Sequence, residues 1–336
     1  MAPLDSVLLV GGAGFLGLHL VQQFYTHCPE TAIHVFDIRP IPETISKYFT
    51  FDRTKITFHQ GDLTLEQDVL AAIAALKCDV IVHLALPIHG MPQEIYHKVN
   101  VVGTNTLLKA ARASRAKALV YTSSAAVAVP ESAYGRLQRD EGSGRNGRDG
   151  GKRAGETFYC VPSPRGIFGP GDRQLVPGLR TAARLGQLKF QLGDNDNLFD
   201  WTYVGNVADA HVLAAQRILD ALQAYKLGGE TFFITNDAPT YFWTLARTVW
   251  KADGHIDPYN IKLAYPVAML AGYLLLFVLK LLKKEPGLTP FRVKITCATR
   301  YHDISKAKAV LGYTPAVSLE EGIKHTLDWI YETHKD

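Results

Sequence analysis

The first half of the chain alternates short apolar runs with longer stretches in which apolar residues recur every three to four positions. The runs at 6–10, 33–37, 56–59, 80–84 and 118–121 are apolar on successive residues, the pattern of strands buried on both faces. Between them, 15–25, 65–76 and 95–113 carry helical periodicity. Such alternation predicts an α/β fold: a doubly wound parallel sheet covered by helices on both sides. Further on, the pattern predicts helices at 175–185 and 204–222 and a strand at 231–235. Ser318-Leu-Glu-Glu321 has the form of a capping box, so a final amphipathic helix is expected from there to about 333.

One stretch breaks the pattern. From 130 to 165 the apolar periodicity disappears, and positions 142–155 hold six glycines and four basic residues in fourteen. Glycine costs about 1 kcal/mol relative to alanine inside a helix, so six of them oppose a helix by roughly 5–6 kcal/mol. The stretch 129–165 is therefore expected to be loop or disordered, or to be mistranslated.

Composition changes this picture little. The 336 residues are 47% hydrophobic and 20% charged, which excludes wholesale disorder and leaves material for one large domain or two intimate ones. A net charge of +4 gives no reason to expect a nucleic-acid partner. Cys28, Cys78, Cys160 and Cys297 show no CxxC spacing, so neither a metal site nor a disulfide framework is expected, and a reducing compartment is. Positions 6–10 already read as buried strand, so the opening residues do not read as a signal peptide.

Val10-Gly-Gly-Ala-Gly-Phe-Leu-Gly17 follows the first predicted strand and opens the first predicted helix. A glycine triplet in that context is the dinucleotide fingerprint of a Rossmann fold. Gly11 permits the tight turn, Gly14 lets the backbone approach a diphosphate, and Gly17 lets helix and strand pack closely. Gly12, Phe15 and Leu16 complete the loop and the helix N-terminus, whose free N–H groups face phosphate. Asp37 ends the second strand, where a carboxylate would bind ribose hydroxyls and favour NAD. Arg39, two residues on, keeps NADP open. Asp62, followed by Leu63, could hydrogen-bond the adenine amine, or could be a solvated turn residue. Leu84, Ala85 and Leu86 are expected to pass beneath the cofactor.

These residues, together with Asn100-Val-Val-Gly-Thr104, Tyr121-Thr-Ser-Ser124, Gly166-Ile-Phe-Gly-Pro-Gly-Asp172, Asp200-Trp-Thr-Tyr-Val204 and Tyr313-Thr-Pro315, resemble the extended short-chain dehydrogenases of the 3β-hydroxysteroid dehydrogenase type. In Asp172-Arg-Gln-Leu-Val-Pro-Gly-Leu179, Thr240-Tyr-Phe-Trp243 and Leu288-Thr-Pro-Phe-Arg292 the resemblance narrows to the fungal decarboxylating sterol dehydrogenases. It covers about 1–128 and 166–333. It implies NAD- or NADP-dependent oxidation of the 3β-hydroxyl of a 4α-carboxysterol with loss of the C4 carboxylate, in ergosterol synthesis. It also implies a tyrosine and a lysine spaced YxxxK on one helix, where i and i+4 share a face. The lysine lowers the phenol's pKa, the phenolate acts as general base, and a serine holds the substrate oxygen. Ser124 occupies the matching serine position.

The tyrosine has no counterpart. Matching Lys152 to the family lysine puts Arg148 in its place; matching by length puts Gly151 there. Tyr134 is followed four residues on by Gln138, and the one YxxxK, Tyr331 to Lys335, lies in the tail and reads as chance. The family's Arg-Pro before Gly-Ile-Phe is Ser163-Pro164 here. Three readings stand: residues near 129–165 come from a wrong frame or a misplaced boundary; catalysis is damaged or lost; or a rearranged site recruits Tyr134 or Tyr159.

Positions 263–279 contain no charge and are flanked by Lys262, Lys280, Lys283 and Lys284. This segment is expected either to be a buried helix or to rest in one leaflet of a membrane with the lysines at anionic headgroups. The expected division is a dinucleotide-binding domain of 1–170 and 203–236, and a substrate lobe of 171–200 and 238–336. The resemblance further implies a sterol substrate, the cytosolic face of the endoplasmic-reticulum membrane and partners in sterol C4 demethylation. Two other readings remain: a non-catalytic cofactor-binding membrane scaffold, and another 3β-hydroxysteroid dehydrogenase.

Overall fold

The structure is a computed structural model that describes residues 3–42, 47–74, 76, 78–87, 91–114, 116–123, 158–164, 166–220, 227–255, 261–281 and 288–333, with only the backbone course at 158–164 and 280–281. The elements begin with β1 (Ser6–Val10), α1 (Phe15–His27), β2 (Ala32–Asp37), β3 (Ile56–Gln60), α2 (Glu66–Ala74), β4 (Val80–His83), α3 (Gln93–His97), α4 (Thr104–Ala113), β5 (Ala118–Tyr121) and β6 (Phe158–Pro164). Next come β7 (Ile167–Phe168), α5 (Leu175–Arg184), β8 (Phe190–Leu192), β9 (Leu198–Phe199), β10 (Thr202–Tyr203), α6 (Val204–Ile218), β11 (Glu230–Ile234), β12 (Thr240–Tyr241) and α7 (Phe242–Ala252). The last are β13 (Ile261–Leu263), α8 (Tyr265–Leu281), α9 (Pro290–Cys297) and α10 (Leu319–Thr333).

Two compact units divide the chain, one of Met1–Arg165, Val204–Ile234 and Ile304–Ala316, the other of Gly166–Tyr203, Thr235–Asp303 and Val317–Asp336. Ile304–Ala316, expected in the substrate lobe, clusters with the first unit, where Arg217 of α6 donates to the Val310 carbonyl at 3.1 Å.

The first unit is built on one seven-stranded sheet in the order β11-β6-β5-β4-β1-β2-β3, with every neighbouring pair parallel. Its strands are apolar on both faces because helices cover both. On one face Leu8, Val10, Ile81 and Leu119 pack against Val69 and Ile73 of α2 and Leu107 and Ala111 of α4. Two expectations need correction. The helix expected at 95–113 is broken by a π-helical segment, Lys98–Gly103. Gly103 sits where an added Cβ would meet Leu63 Cγ at 2.8 Å, so close packing on Leu63, invisible to periodicity, shapes this run. The second correction concerns 158–164, part of the stretch expected to be irregular. This segment is β6, paired with both β5 and β11, and its Phe-Tyr-Cys-Val run has the residue types that strands favour.

In the second unit α5 and α7 meet through Ala183, Ala246 and Trp250, with the Trp250 indole donating to the Leu179 carbonyl at 2.8 Å. Asn197, buried, donates to the carbonyls of Thr296 and Ala298 at 2.8 and 3.1 Å, tying the 193–197 turn to the end of α9. The Asn195 side chain accepts from the Trp243 amide at 2.9 Å. Tyr331 of α10 donates to Asp253 at 2.7 Å, and Arg180 donates to the other oxygen of the same carboxylate at 2.7 Å. Burial and Asp253 push the Tyr331 phenol up to about 12, so this tyrosine is a tie between helices and unsuited to be a base. α8 turns Ala268 and Gly272 inward, an added Cβ on Gly272 meeting the Pro290 nitrogen at 3.0 Å. Its other apolar residues from Tyr265 to Val278, Met269 and Ala271 apart, are exposed.

Half of the expected capping box forms at α10, where the Ser318 hydroxyl accepts from the Glu321 amide at 3.1 Å. Replacing Ser318→Ala is expected to lower unfolding free energy by about 1 kcal/mol, read by urea denaturation with the m-value unchanged.

Candidate functional site

The glycine loop lies at the carboxyl end of the sheet, between β1 and α1. Gly11 has φ of +87°, and a Cβ on it would lie 2.7 Å from the Ala85 nitrogen, so both its conformation and its neighbour exclude a side chain. Gly17 would place a Cβ 2.5 Å from the carbonyl oxygen of Gly11, so its close approach is to the glycine loop, where a helix–strand contact was expected. At Gly14 the nearest atom to an added Cβ is the Gly11 oxygen at 3.2 Å. Phe15 and Leu16 are half-buried in the first turn of α1, which has neither a side-chain cap nor an acidic residue. Uncapped N–H groups and the positive end of the helix dipole suit a bound diphosphate.

Asp37 ends β2 beside this loop. Its carboxylate accepts from the Ala13 amide at 3.1 Å and the Arg39 amide at 3.2 Å, which fixes a negative charge next to the glycine turn. A ribose diol could share those oxygens, and a 2′-phosphate would be repelled. Asp62 uses one oxygen locally, accepting from the Thr64 amide and hydroxyl, both at 2.8 Å. Leu63 is buried under α4, Leu84 and Ala85 are half-buried, and Leu86 is exposed. Leu84 donates its amide to the Val10 carbonyl at 2.8 Å, so the chain leaving β4 runs along the glycine loop. The loop, the helix end and Asp37 together fit a dinucleotide. Ser124, Tyr134, Arg148, Gly151 and Lys152 lie outside the described residues, as does the side chain of Tyr159.

Sequence reasoning missed two buried histidines at the same edge of the sheet. His83, the last residue of β4, has its Nε2 2.9 Å from the Thr104 hydroxyl, while its Nδ1 has no hydrogen-bond partner. His211 of α6 has its Nε2 2.7 Å from the Thr122 hydroxyl and its Nδ1 2.7 Å from the Val207 carbonyl. Burial drives both pKa values down to about 4, so both rings are neutral at physiological pH. A lone histidine inside each apolar run was the available signal.

An open parallel sheet with a ligand-ready glycine turn at its carboxyl edge defines a dinucleotide-binding Rossmann protein. A sequence profile of the 3-beta hydroxysteroid dehydrogenase/isomerase family matches residues 8–146 and 144–265, and the chain belongs to that family. It is 60% identical to the decarboxylating sterol-4-alpha-carboxylate 3-dehydrogenase ERG26 of Candida albicans over 350 residues, covering 98% of each chain. With the enzyme of the same name from Saccharomyces cerevisiae the identity is 55%, over 99% of each. Among solved structures, the UDP-glucose 4-epimerase of Thermus thermophilus in complex with NAD superposes with a TM-score of 0.62 at 19% identity, over 98% of this chain and 100% of that one.

The histidines give the fold a pH dependence with a definite sign. An unfolded histidine takes up a proton near 6.5 and these two do so near 4, so their contribution is present above about 6.5 and is lost as pH falls towards 4. Each contributes about 1.4 kcal/mol per pH unit in that window. Asp209, raised by burial to about 6, opposes them with a single proton. Unfolding free energy at pH 4.5 is expected to be roughly 2 kcal/mol or more below its value at pH 7, measured by denaturant titration.

Proposed function

We propose that this protein is a decarboxylating sterol-4α-carboxylate 3-dehydrogenase that uses NAD in preference to NADP. The observation that carries the reading is the Asp37 carboxylate pinned to the Ala13 amide of the glycine loop. The full-length similarity to two fungal enzymes of that activity supports the substrate. NAD, when bound, supplies the hydride acceptor. The chain's own residues hold its diphosphate at Gly11–Gly17 and its ribose at Asp37. The 3β-hydroxyl would lose its proton to a base while the C3–H bond breaks with its hydrogen leaving as hydride, giving a 3-ketone. That ketone lies β to the carboxylate, so the C4–carboxylate bond breaks with its electron pair delocalised onto the C3 oxygen as an enolate. Carbon dioxide leaves and C4 takes up a proton. Oxidation therefore has to come first.

For the missing base we adopt the first of the three readings: residues near 129–165 come from a wrong frame or a misplaced boundary. Three observations support it. The family profile matches in two pieces that meet at 144–146, inside the stretch. The 350-position alignment to the Candida relative is longer than this chain, so that relative carries residues with no counterpart here. The genetic code adds the third. Displaced by one nucleotide, codons for Leu137-Gln-Arg-Asp-Glu-Gly142 can read Tyr-Asn-Glu-Thr-Lys, which has the YxxxK spacing. The same displacement lets Pro162-Ser-Pro-Arg-Gly166 read Leu-Arg-Pro-Ala, restoring the absent Arg-Pro. For that peptide the coding DNA must read CTA or TTA at Leu137, followed by CAA, CGA, GAC and GAA. Any other codon at Leu137, or GAG at Glu141, denies that frame its YxxxK pair and defeats the reading; the three codons between them set only the intervening residues. Protein from the corrected frame is expected to reduce NAD with a 4α-carboxysterol and release carbon dioxide, whereas the chain as written is expected to be slower by about 10²–10⁴. Dinucleotide binding without turnover in both would favour the scaffold instead.

We also read α8 as resting on the cytosolic face of the endoplasmic-reticulum membrane, where a sterol substrate would be found. Its support is the run of exposed apolar residues from Val267 to Val278, with Leu270 and Phe277 at 62% and 67% exposure and Phe291 beside them on α9 at 60%. At about 1.5 Å per residue the helix falls short of a roughly 30 Å hydrocarbon core. No helix among the described residues is long and apolar enough to cross a membrane. Lying in one leaflet is the remaining way to cover that face with lipid. The protein is expected to float with phosphatidylcholine vesicles containing anionic lipid, and the Leu274→Ser, Leu275→Ser, Leu276→Ser variant to stay in the soluble fraction. A wild-type protein that stays soluble would assign the helix to a protein contact.

A further inference from the structure

Where the chain leaves β5, both the amide and the hydroxyl of Thr122 are hydrogen-bonded. The Thr122 amide donates to the His83 carbonyl at 2.9 Å, one step along the edge from the bond between the Leu84 amide and Val10. These two bonds join the exits of β5 and β4 to the glycine loop. The Thr122 side chain is held from the other direction. A carbonyl only accepts, so the contact with Val207 puts the proton of His211 on Nδ1. Nε2 is then bare, and the Thr122 hydroxyl must donate to it. Around His211, Val207, Ala208, Ala210, Ala214 and Ala215 are buried and apolar. An imidazole in such a row is costly to desolvate unless both nitrogens are bonded, as they are here. A leucine would fill the same space without directing anything.

We propose that His211 is a positioning residue: through Thr122 it fixes the direction in which the chain leaves β5, the strand end that leads to Ser124. His83 restrains the neighbouring exit. Its bond to Thr104 reaches α4, on the side of the sheet where Leu119 and Tyr121 pack, whereas Thr122 next along the strand is held by α6. The adjacent ends of β4, which borders the glycine loop, and β5, one strand further out, are thus each held by a neutral His–Thr pair. The geometry stands without the oxidoreductase reading; only the kinetic readout below rests on it.

The test uses Thr122→Val, which removes the hydroxyl at constant shape, and Thr122→Ser, which keeps it. His211→Asn is the second removal, since its amide can still donate to Val207. All are made in a gene whose frame across 129–165 has been verified. Thr122→Val is expected to keep its NAD dissociation constant within about twofold, to lose about 10–100-fold in kcat with a 4α-carboxysterol, and to speed amide exchange at Thr122 and Ser123. Thr122→Ser is expected to restore kcat to within about threefold of the parent, which a merely space-filling role would not require. Unchanged kcat in Thr122→Val, or no rescue by serine, overturns the proposal. If the parent protein neither binds NAD nor turns over, the oxidoreductase reading fails. The exchange rates then decide alone: unchanged protection in Thr122→Val and His211→Asn overturns the positioning role.

Discussion

Between the end of β1 and the chain leaving β4 there is room for a hydrogen atom and not for a methyl group. The Ala85 backbone stands where a Cβ on Gly11 would be, and Gly17 closes on the same loop from the helix side. This contact lets β1, α1 and the β4 exit converge on one point at the carboxyl edge of the sheet. That convergence brings the uncapped α1 terminus and the Asp37 carboxylate within reach of one ligand. A larger residue at Gly11 would separate the groups as well as strain the turn.

The electrostatic character of this edge is unusual for so polar a task. Its buried titratable groups are neutral: the imidazoles of His83 and His211 through desolvation, the Tyr121 phenol through the same cause acting upward. Charge enters at the rim, through Asp37 and its neighbours, and at the helix end. Neutral interior groups can set direction through hydrogen bonds without adding a field that would compete with the cofactor's own charges.

Much of this was legible in the chain. Alternating apolar runs give the order of strands up to β5, and Gly11 and Gly17 mark the turn because each answers a local geometric demand. What escaped was tertiary in origin. The π-helical segment depends on how Gly103 meets Leu63, a packing event with no periodic trace. β6 lies beside two strands whose pairing supplies the order its own surroundings in sequence deny. His83 and His211 each look like an intrusion into an apolar run until Thr104 and Thr122 are seen opposite them. The stretch before β6 is a different matter: its glycine-rich text breaks a family pattern that resumes at Gly166, and codon arithmetic addresses it better than packing.

The seat of α8 has a mechanical consequence. Gly272 lets the helix rest directly on Pro290 at the start of α9, and the carbonyls at the far end of α9 are grasped by Asn197, whose turn in turn holds Trp243 through Asn195. No flexible side chain cushions the first of these joints. A side chain at Gly272 would therefore displace the start of α9, and with it the far end of that helix on which the 193–197 turn is anchored.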